Sequence, residues 1–271
     1  VERLTKVAVV QMRSSQDKQE NLDRSVEYVR QAAGSASMIC FPEFQMAFSP
    51  GTQPAKELAK IAETVQGNFV STLRKAAKAG GIEVVAAMYE KGTGNRVYDT
   101  AVVISKKGAI SSVYRKLHLY DALGFKESKK LMPGKKLVRP AKTAAGSVGV
   151  MICYDLRFPE LARLLTVKGA SILVAPSGWV QGPMKEEHWQ TMVKARAIEN
   201  GSYVVAPDQV GNIYAGRSMV VDPFGVVLLD MGQREGMEIV ELDMEKVKQV
   251  RQSLPLLKNR RTDVYSLTGK S

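Results

Sequence analysis

The 271-residue chain has little with which to hold a metal or a disulfide framework: two cysteines, Cys40 and Cys153, and two histidines, His118 and His188. Neither a Cys-x-x-Cys nor a His-x-x-x-His pair occurs. A zinc site would have to recruit carboxylates from scattered positions, so no metal and no cofactor are expected. Two cysteines without a framework fit a reducing compartment. No uninterrupted apolar run approaches the roughly 18 residues of a membrane helix. The opening residues, Val1-Glu2-Arg3-Leu4-Thr5-Lys6, lack the apolar segment of a secretory signal. The expectation is a soluble, cytoplasmic protein that needs no membrane.

Acidic residues are also in deficit, 27 against 39 lysines and arginines, which leaves a net charge of +12. Such a charge attracts nucleic acid, membrane surfaces or acidic small molecules. The basic residues, however, are spread from Arg3 to Lys270. Their densest clusters are short: Lys126, Lys129, Lys130, Lys135 and Lys136, then Lys258, Arg260 and Arg261. No recognition helix or aromatic RNA-binding signature accompanies them, so they read as a solvated surface rather than a nucleic-acid footprint.

What is present is ordinary for a globular protein: 45% hydrophobic and 24% charged residues, with no linker-like stretch that would split the chain. One domain over 1–271 is expected, with 254–271 a C-terminal tail. Lys6 to Gln11 is a β-branched apolar run, and Leu22, Val26 and Val29 recur at helical spacing between Asp17 and Ala33. A short strand at 37–41 is cut off by Pro42. Helical stretches follow at 54–64 and 67–79, then a strand at 82–89 and a hairpin, 97–105 with 109–114, turning at Lys106-Lys107-Gly108. The pattern continues with a strand at 147–152, a helix at 157–168, a strand at 170–175 and a helix at 185–200. Strands near 202–207, 217–222, 226–229 and 237–242 complete it, the last two flanking a turn region. Strands alternating with helices but interrupted by hairpins predict an α/β fold with helices covering mixed sheets.

Three segments put a reactive group where a strand ends. In Phe41-Pro42-Glu43-Phe44, proline stops the strand and Glu43 opens the loop among apolar neighbours, surroundings that move a carboxylate toward general-base range. Taken alone it reads rather as an ordinary turn glutamate. In Tyr114-Arg115-Lys116-Leu117-His118, period-2 alternation places Tyr114, Lys116 and His118 on one face. Lys116 is then a fixed cation for an oxyanion or a snorkelling edge lysine. In Ile152-Cys153-Tyr154-Asp155-Leu156-Arg157-Phe158-Pro159-Glu160, a strand runs into Cys153 and a helix starts soon after. Unpaired backbone N–H groups at such a junction lower a thiol's pKa and can hold an oxyanion. The alternative is a buried structural cysteine, which is how Cys40, inside a strand, reads.

Together, and in this order, the three segments resemble the nitrilase superfamily of carbon–nitrogen hydrolases. Supporting matches are Phe125-Lys126-Glu127-Ser128, Pro133-Gly134, His188-Trp189, Arg196 to Asn200 and Ser218 to Gly225, so the likeness spans nearly the whole chain. The resemblance implies a four-layer α-β-β-α sandwich. It implies Glu43 as general base, Lys116 as oxyanion-stabilising cation, Cys153 as nucleophile, Glu127 as an additional glutamate beside the lysine, and the backbone N–H of Tyr154 as an oxyanion donor. Cys-Tyr-Asp-Leu-Arg-Phe-Pro-Glu and the tail Leu254 to Tyr265 point to the Nit-type amidase branch, which includes omega-amidase and deaminated-glutathione amidase. The stretch 121–125 and the loop 211–216 are shorter than that branch leads one to expect, and in the family both regions border the substrate pocket. The implied reaction is hydrolysis of a small carboxamide through a thioester, with release of ammonia. N-carbamoyl hydrolysis and nitrile hydrolysis are alternatives. A homodimer or larger homo-oligomer is implied, paired across helices 157–168 and 185–200, with the 254–271 tail at the dimer interface, crossing onto the partner. Two other classes stand beside this reading: a non-catalytic basic binding protein, and a papain-like protease activated by His118 or His188.

Overall fold

The computed structural model describes residues 4–268; the first three residues of the Val1–Lys6 stretch and the last three of the 254–271 tail lie outside the described residues. The elements in chain order are β1 (Leu4–Gln11), α1 (Lys18–Ala32), β2 (Met38–Cys40), α2 (Ala55–Ile61), α3 (Asn68–Gly80), β3 (Glu83–Lys91), β4 (Val97–Ile104) and β5 (Ile110–Arg115). Then come β6 (Ala141–Lys142), β7 (Ser147–Val150), α4 (Pro159–Val167), β8 (Ile172–Val174), α5 (Lys185–Asn200) and β9 (Tyr203–Ala206). The chain closes with β10 (Val210–Gly211), β11 (Tyr214–Ala215), β12 (Met219–Val221), β13 (Val227–Asp230), β14 (Gly236–Asp243) and α6 (Met244–Ser253).

Local chemistry sets these boundaries. The Asp17 carboxylate caps α1 by accepting from the N–H groups of Gln19 and Glu20, and Leu22, Ser25, Val29 and Ala32 form its buried face. Gly81 closes α3 in the left-handed region at φ 59°, a conformation glycine adopts without steric cost. The helix expected over 157–168 begins at Pro159, because 153–157 form a tight 3₁₀ turn first. The helix expected over 54–64 stops at Ile61.

Two six-stranded sheets form, with orders β14-β1-β2-β3-β4-β5 and β13-β12-β9-β8-β7-β6. Each has three parallel strands at its centre, β1-β2-β3 in one and β7-β8-β9 in the other, flanked by antiparallel strands. Alternation along β1 explains the layers. Ala8 and Val10 pack with Leu22 and Val29 of α1 and with Phe69 and Leu73 of α3. Val7 and Val9 face the other way, into one core with Val148, Ile172 and Val204 of the second sheet. The second sheet is covered in turn by Leu161 and Leu165 of α4 and Trp189 and Val193 of α5. The result is the α-β-β-α sandwich.

The strands expected near 226–229 and 237–242 exist, but they do not stay together. β13 forms a hairpin with β12, whereas β14 crosses to the first sheet and pairs antiparallel with β1 from Leu4↔Asp243 to Gln11↔Gly236. Three features went unread: the short edge strand β6, the small β10–β11 hairpin, and α6, whose buried Met244, Val247 and Val250 recur at helical spacing after the capping Asp243.

Candidate active site

The C-terminal ends of two parallel strands, β2 and β7, and of the antiparallel edge strand β5 bring the expected residues together. Glu43 follows β2, Cys153 follows β7, and Lys116 lies just past the end of β5. Glu43 and Lys116 are wholly buried. Lys116 Nζ donates to Glu43 Oε1 at 2.7 Å and to the two carboxylate oxygens of Glu127 at 3.0 and 2.9 Å. Asp99 Oδ2 lies 3.8 Å from the same ammonium. Burial opposes the charge of Lys116, but Glu127 and Glu43 hold its pKa well above the ordinary value. One cation among three carboxylates leaves an excess of negative charge. Accordingly burial and the Glu43 charge push Asp99 well above the usual aspartate range, and burial pushes Glu127 up against the pull of Lys116.

Glu43 is fixed at both ends. Its Oε2 accepts from the Gly178 N–H at 2.7 Å, and its backbone carbonyl accepts from Gln209 Nε2 at 2.9 Å. Gly178 has to be glycine, since a Cβ there would stand 2.7 Å from the Phe44 ring.

Cys153 sits at φ +43°, a left-handed backbone for a residue with a side chain. Such strain costs on the order of 1–3 kcal/mol and gathers at functional sites. Its own N–H donates to the Pro176 carbonyl at 2.9 Å. The next N–H, that of Tyr154, has no hydrogen-bond acceptor among the described residues. The lowered thiol pKa expected from the strand-to-helix junction is not found. Cys153 is 8% exposed, and burial, reinforced by the Glu43 charge, raises the thiol well above its usual value despite the pull of Lys116. The junction is a short 3₁₀ turn, too brief to supply the field of a long helix. A resting thiol therefore needs a base beside it.

Alternation also fails past Arg115. Tyr114 and His118 converge on Asp155, while Lys116 points into the carboxylate cluster. Cys40 is wholly buried in β2, as its position in the strand implied.

Cys153 and Glu127 line a cavity of about 430 Å³, walled by Tyr120, Tyr154, Trp179 and Tyr214. Lys126, Lys129, Lys130, Arg157 and Lys185 also border it, and Glu127 is the one acidic lining residue among the described residues. Part of the cluster read as solvated surface thus faces the site; Lys130 reaches the Ser49 hydroxyl and the Pro50 carbonyl. Sequence reasoning missed Asp99, Tyr120, Lys185 and Gly178, none of which carries a local signature.

A profile described as carbon-nitrogen hydrolase matches residues 6–252. The chain is 36% identical over 244 residues to the deaminated glutathione amidase of Escherichia coli O157:H7, covering 90% of this chain and 92% of that one. It is 34% identical over 278 residues to an omega-amidase of Danio rerio, covering 97% of both. The carbon-nitrogen hydrolase structure from Helicobacter pylori G27 superposes with a TM-score of 0.88 at 25% identity, covering 97% of each chain.

Proposed function

The chain belongs to the carbon–nitrogen hydrolase family, and from that premise we propose that it hydrolyses a small carboxamide through a thioester on Cys153. The observation that carries this reading is the Glu43–Lys116–Glu127 cluster held beside a strained, cavity-lining cysteine.

Glu43 takes the proton of Cys153 Sγ as sulfur attacks the carbonyl carbon, so the C–S bond forms as the thiol ionises. A freestanding thiolate is unnecessary, which suits the raised thiol pKa. The two close carboxylates occupy two of the three N–H donors of Lys116. The third, with the Tyr154 N–H, holds the oxyanion, a term worth about 3–4 kcal/mol per donor. As the C–N bond breaks, Glu43 passes its proton to nitrogen and ammonia departs. Water then attacks the thioester, Glu43 receives the water's proton, and the proton returns to sulfur as the C–S bond breaks. The chain's residues supply every group these steps use.

The basic rim favours an amide that also carries a carboxylate, and the relatives named omega-amidase and deaminated glutathione amidase support that choice. A cytoplasmic setting suits a nucleophile that must remain a thiol. A homodimer is favoured by exposed apolar side chains on α4 and α5, Val167 and Ile198, and on the tail, Leu254, Val264 and Tyr265.

Ammonia release from a panel of amides, nitriles and N-carbamoyl amino acids tests the reading. Release from ω-amides of dicarboxylic acids, lost in Cys153→Ala, is expected. Release from N-carbamoyl compounds alone would replace the amide with that alternative.

A further inference from the structure

Lys185 is a cavity-lining cation that the hydrolytic steps leave unused. It is 7% exposed, and among the described residues no carboxylate pairs with it. Its Nζ donates to the Tyr120 hydroxyl at 2.5 Å and lies 4.7 Å from the Tyr120 ring centroid and 5.8 Å from that of Trp179. An ammonium withdrawn from water without a counter-anion is costly, and aromatic faces offset only part of that cost.

The surroundings hold the cation in place. The Trp179 indole N–H donates to the Lys185 carbonyl at 2.7 Å, which fixes that ring against the start of α5. Met184, just before it, takes a left-handed backbone at φ +58° and points outward, so the next residue turns into the cavity. Lys185 is also the first residue of the 16-residue α5, where the helix dipole adds positive potential.

We propose that Lys185 and the Tyr120 hydroxyl form a carboxylate-binding subsite that selects amides bearing a second, anionic group. This rests on the amidase reading and names the recognition element within the same cavity. Because the Tyr120 oxygen accepts from Lys185, its own proton is directed elsewhere. A carboxylate in the cavity therefore meets an ammonium and a phenol donor together, a charge-assisted pair. Tyr120 also donates its backbone N–H to Glu127 Oε2 at 2.8 Å. One residue thus spans the anion subsite and the hydrolytic cluster, so the distance from carboxylate to carboxamide becomes a selection criterion.

The test compares glutaramate with its neutral counterpart pentanamide, in the parent protein, Lys185→Met and Tyr120→Phe. Lys185→Met is expected to raise KM for glutaramate by roughly 10- to 100-fold while kcat stays within about twofold, the loss of one charge-assisted contact. The kcat/KM for pentanamide should fall at least tenfold less than that for glutaramate, and Tyr120→Phe should act in the same direction but less. Equal losses on both amides would make Lys185 structural and overturn the proposal. An unchanged glutaramate KM would place the carboxylate elsewhere, at Arg157 or the rim lysines, and would overturn it too. If the parent releases ammonia from neither amide, the amidase reading fails by itself. Calorimetry with glutarate then decides the subsite: binding by the parent that Lys185→Met loses supports it, whereas no binding, or binding that persists, overturns it.

Discussion

The Tyr114 hydroxyl donates to Asp155 Oδ2 at 2.6 Å, which ties the strand leading to Lys116 to the turn that carries Cys153. Asp155 also accepts from the Ile152 N–H at 2.9 Å and the His118 N–H at 3.1 Å, and His118 Nδ1 lies 2.6 Å from Oδ1. The two sheets are thereby locked at the site. Tyr114→Phe is expected to lower stability by about 1.5–3 kcal/mol, the range for a hydrogen bond to a charged group. It should reduce kcat with little change in KM, since it shifts Lys116 against Cys153 without touching the cavity wall. Denaturant titration and steady-state kinetics check both.

Cys153→Ala should abolish turnover and leave the fold intact. Cys153→Ser should be nearly inactive, because a hydroxyl is far harder to deprotonate than a thiol. Cys40→Ala removes a wholly buried sulfur from β2 and should cost about 1 kcal/mol of stability, with activity retained. Mass spectrometry under slow turnover should find the acyl group on the Cys153 peptide and not on that of Cys40.

Lys116→Met withdraws the cation from Glu43, Glu127 and Asp99 together. Stranding buried carboxylates in this way costs about 3–5 kcal/mol at neutral pH. Without the lysine, Asp99 and Glu127, already raised in the fold by burial, lose the pull that lowers them and rise further. The variant therefore keeps its stability below the unfolded carboxylate range and loses it as pH rises. Thermal melts should show its deficit smallest near pH 4 and growing toward pH 7, about the range where such groups titrate. Activity should be lost throughout.

Asp99→Asn reports on the excess negative charge directly. Burial and Glu43 raise Asp99 well above its ordinary value of 3.8. A carboxyl raised in the fold stabilises it fully below the unfolded pKa, and that contribution fades as pH rises toward the folded pKa. Asn removes the titration, so the variant should gain on the parent steadily from about pH 4 upward. A stability difference that is flat with pH would mean that Asp99 titrates alike in both states.

The proposed dimer predicts a sedimenting mass of two chains at micromolar concentration. Ending the chain after Ser253 removes exposed Leu254, Val264 and Tyr265 and should shift the equilibrium toward monomer. Monomer alone in the full chain would remove the assembly from the proposal.

Much of this protein was written locally. Alternation and β-branching located β1, and Asp17 and Gly81 marked helix ends, because caps and periodicity act over a few residues. The order of Glu43, Lys116 and Cys153, each at a strand end, was enough to indicate the family and its chemistry. What the sequence could not carry is convergence. Lys116 meets Glu43 across 73 positions once β2 and β5 join one sheet, and Asp155 meets Tyr114 across 41 once the two sheets pack face to face. Asp99 reads as a strand residue, Lys185 as a helix-start charge and Tyr120 as one more loop aromatic, until the fold places them around Lys116 and the cavity. Burial, too, belongs to the assembled molecule. Local placement predicted a lowered thiol pKa at Cys153, and the desolvation that reversed the direction comes from elements distant in the chain.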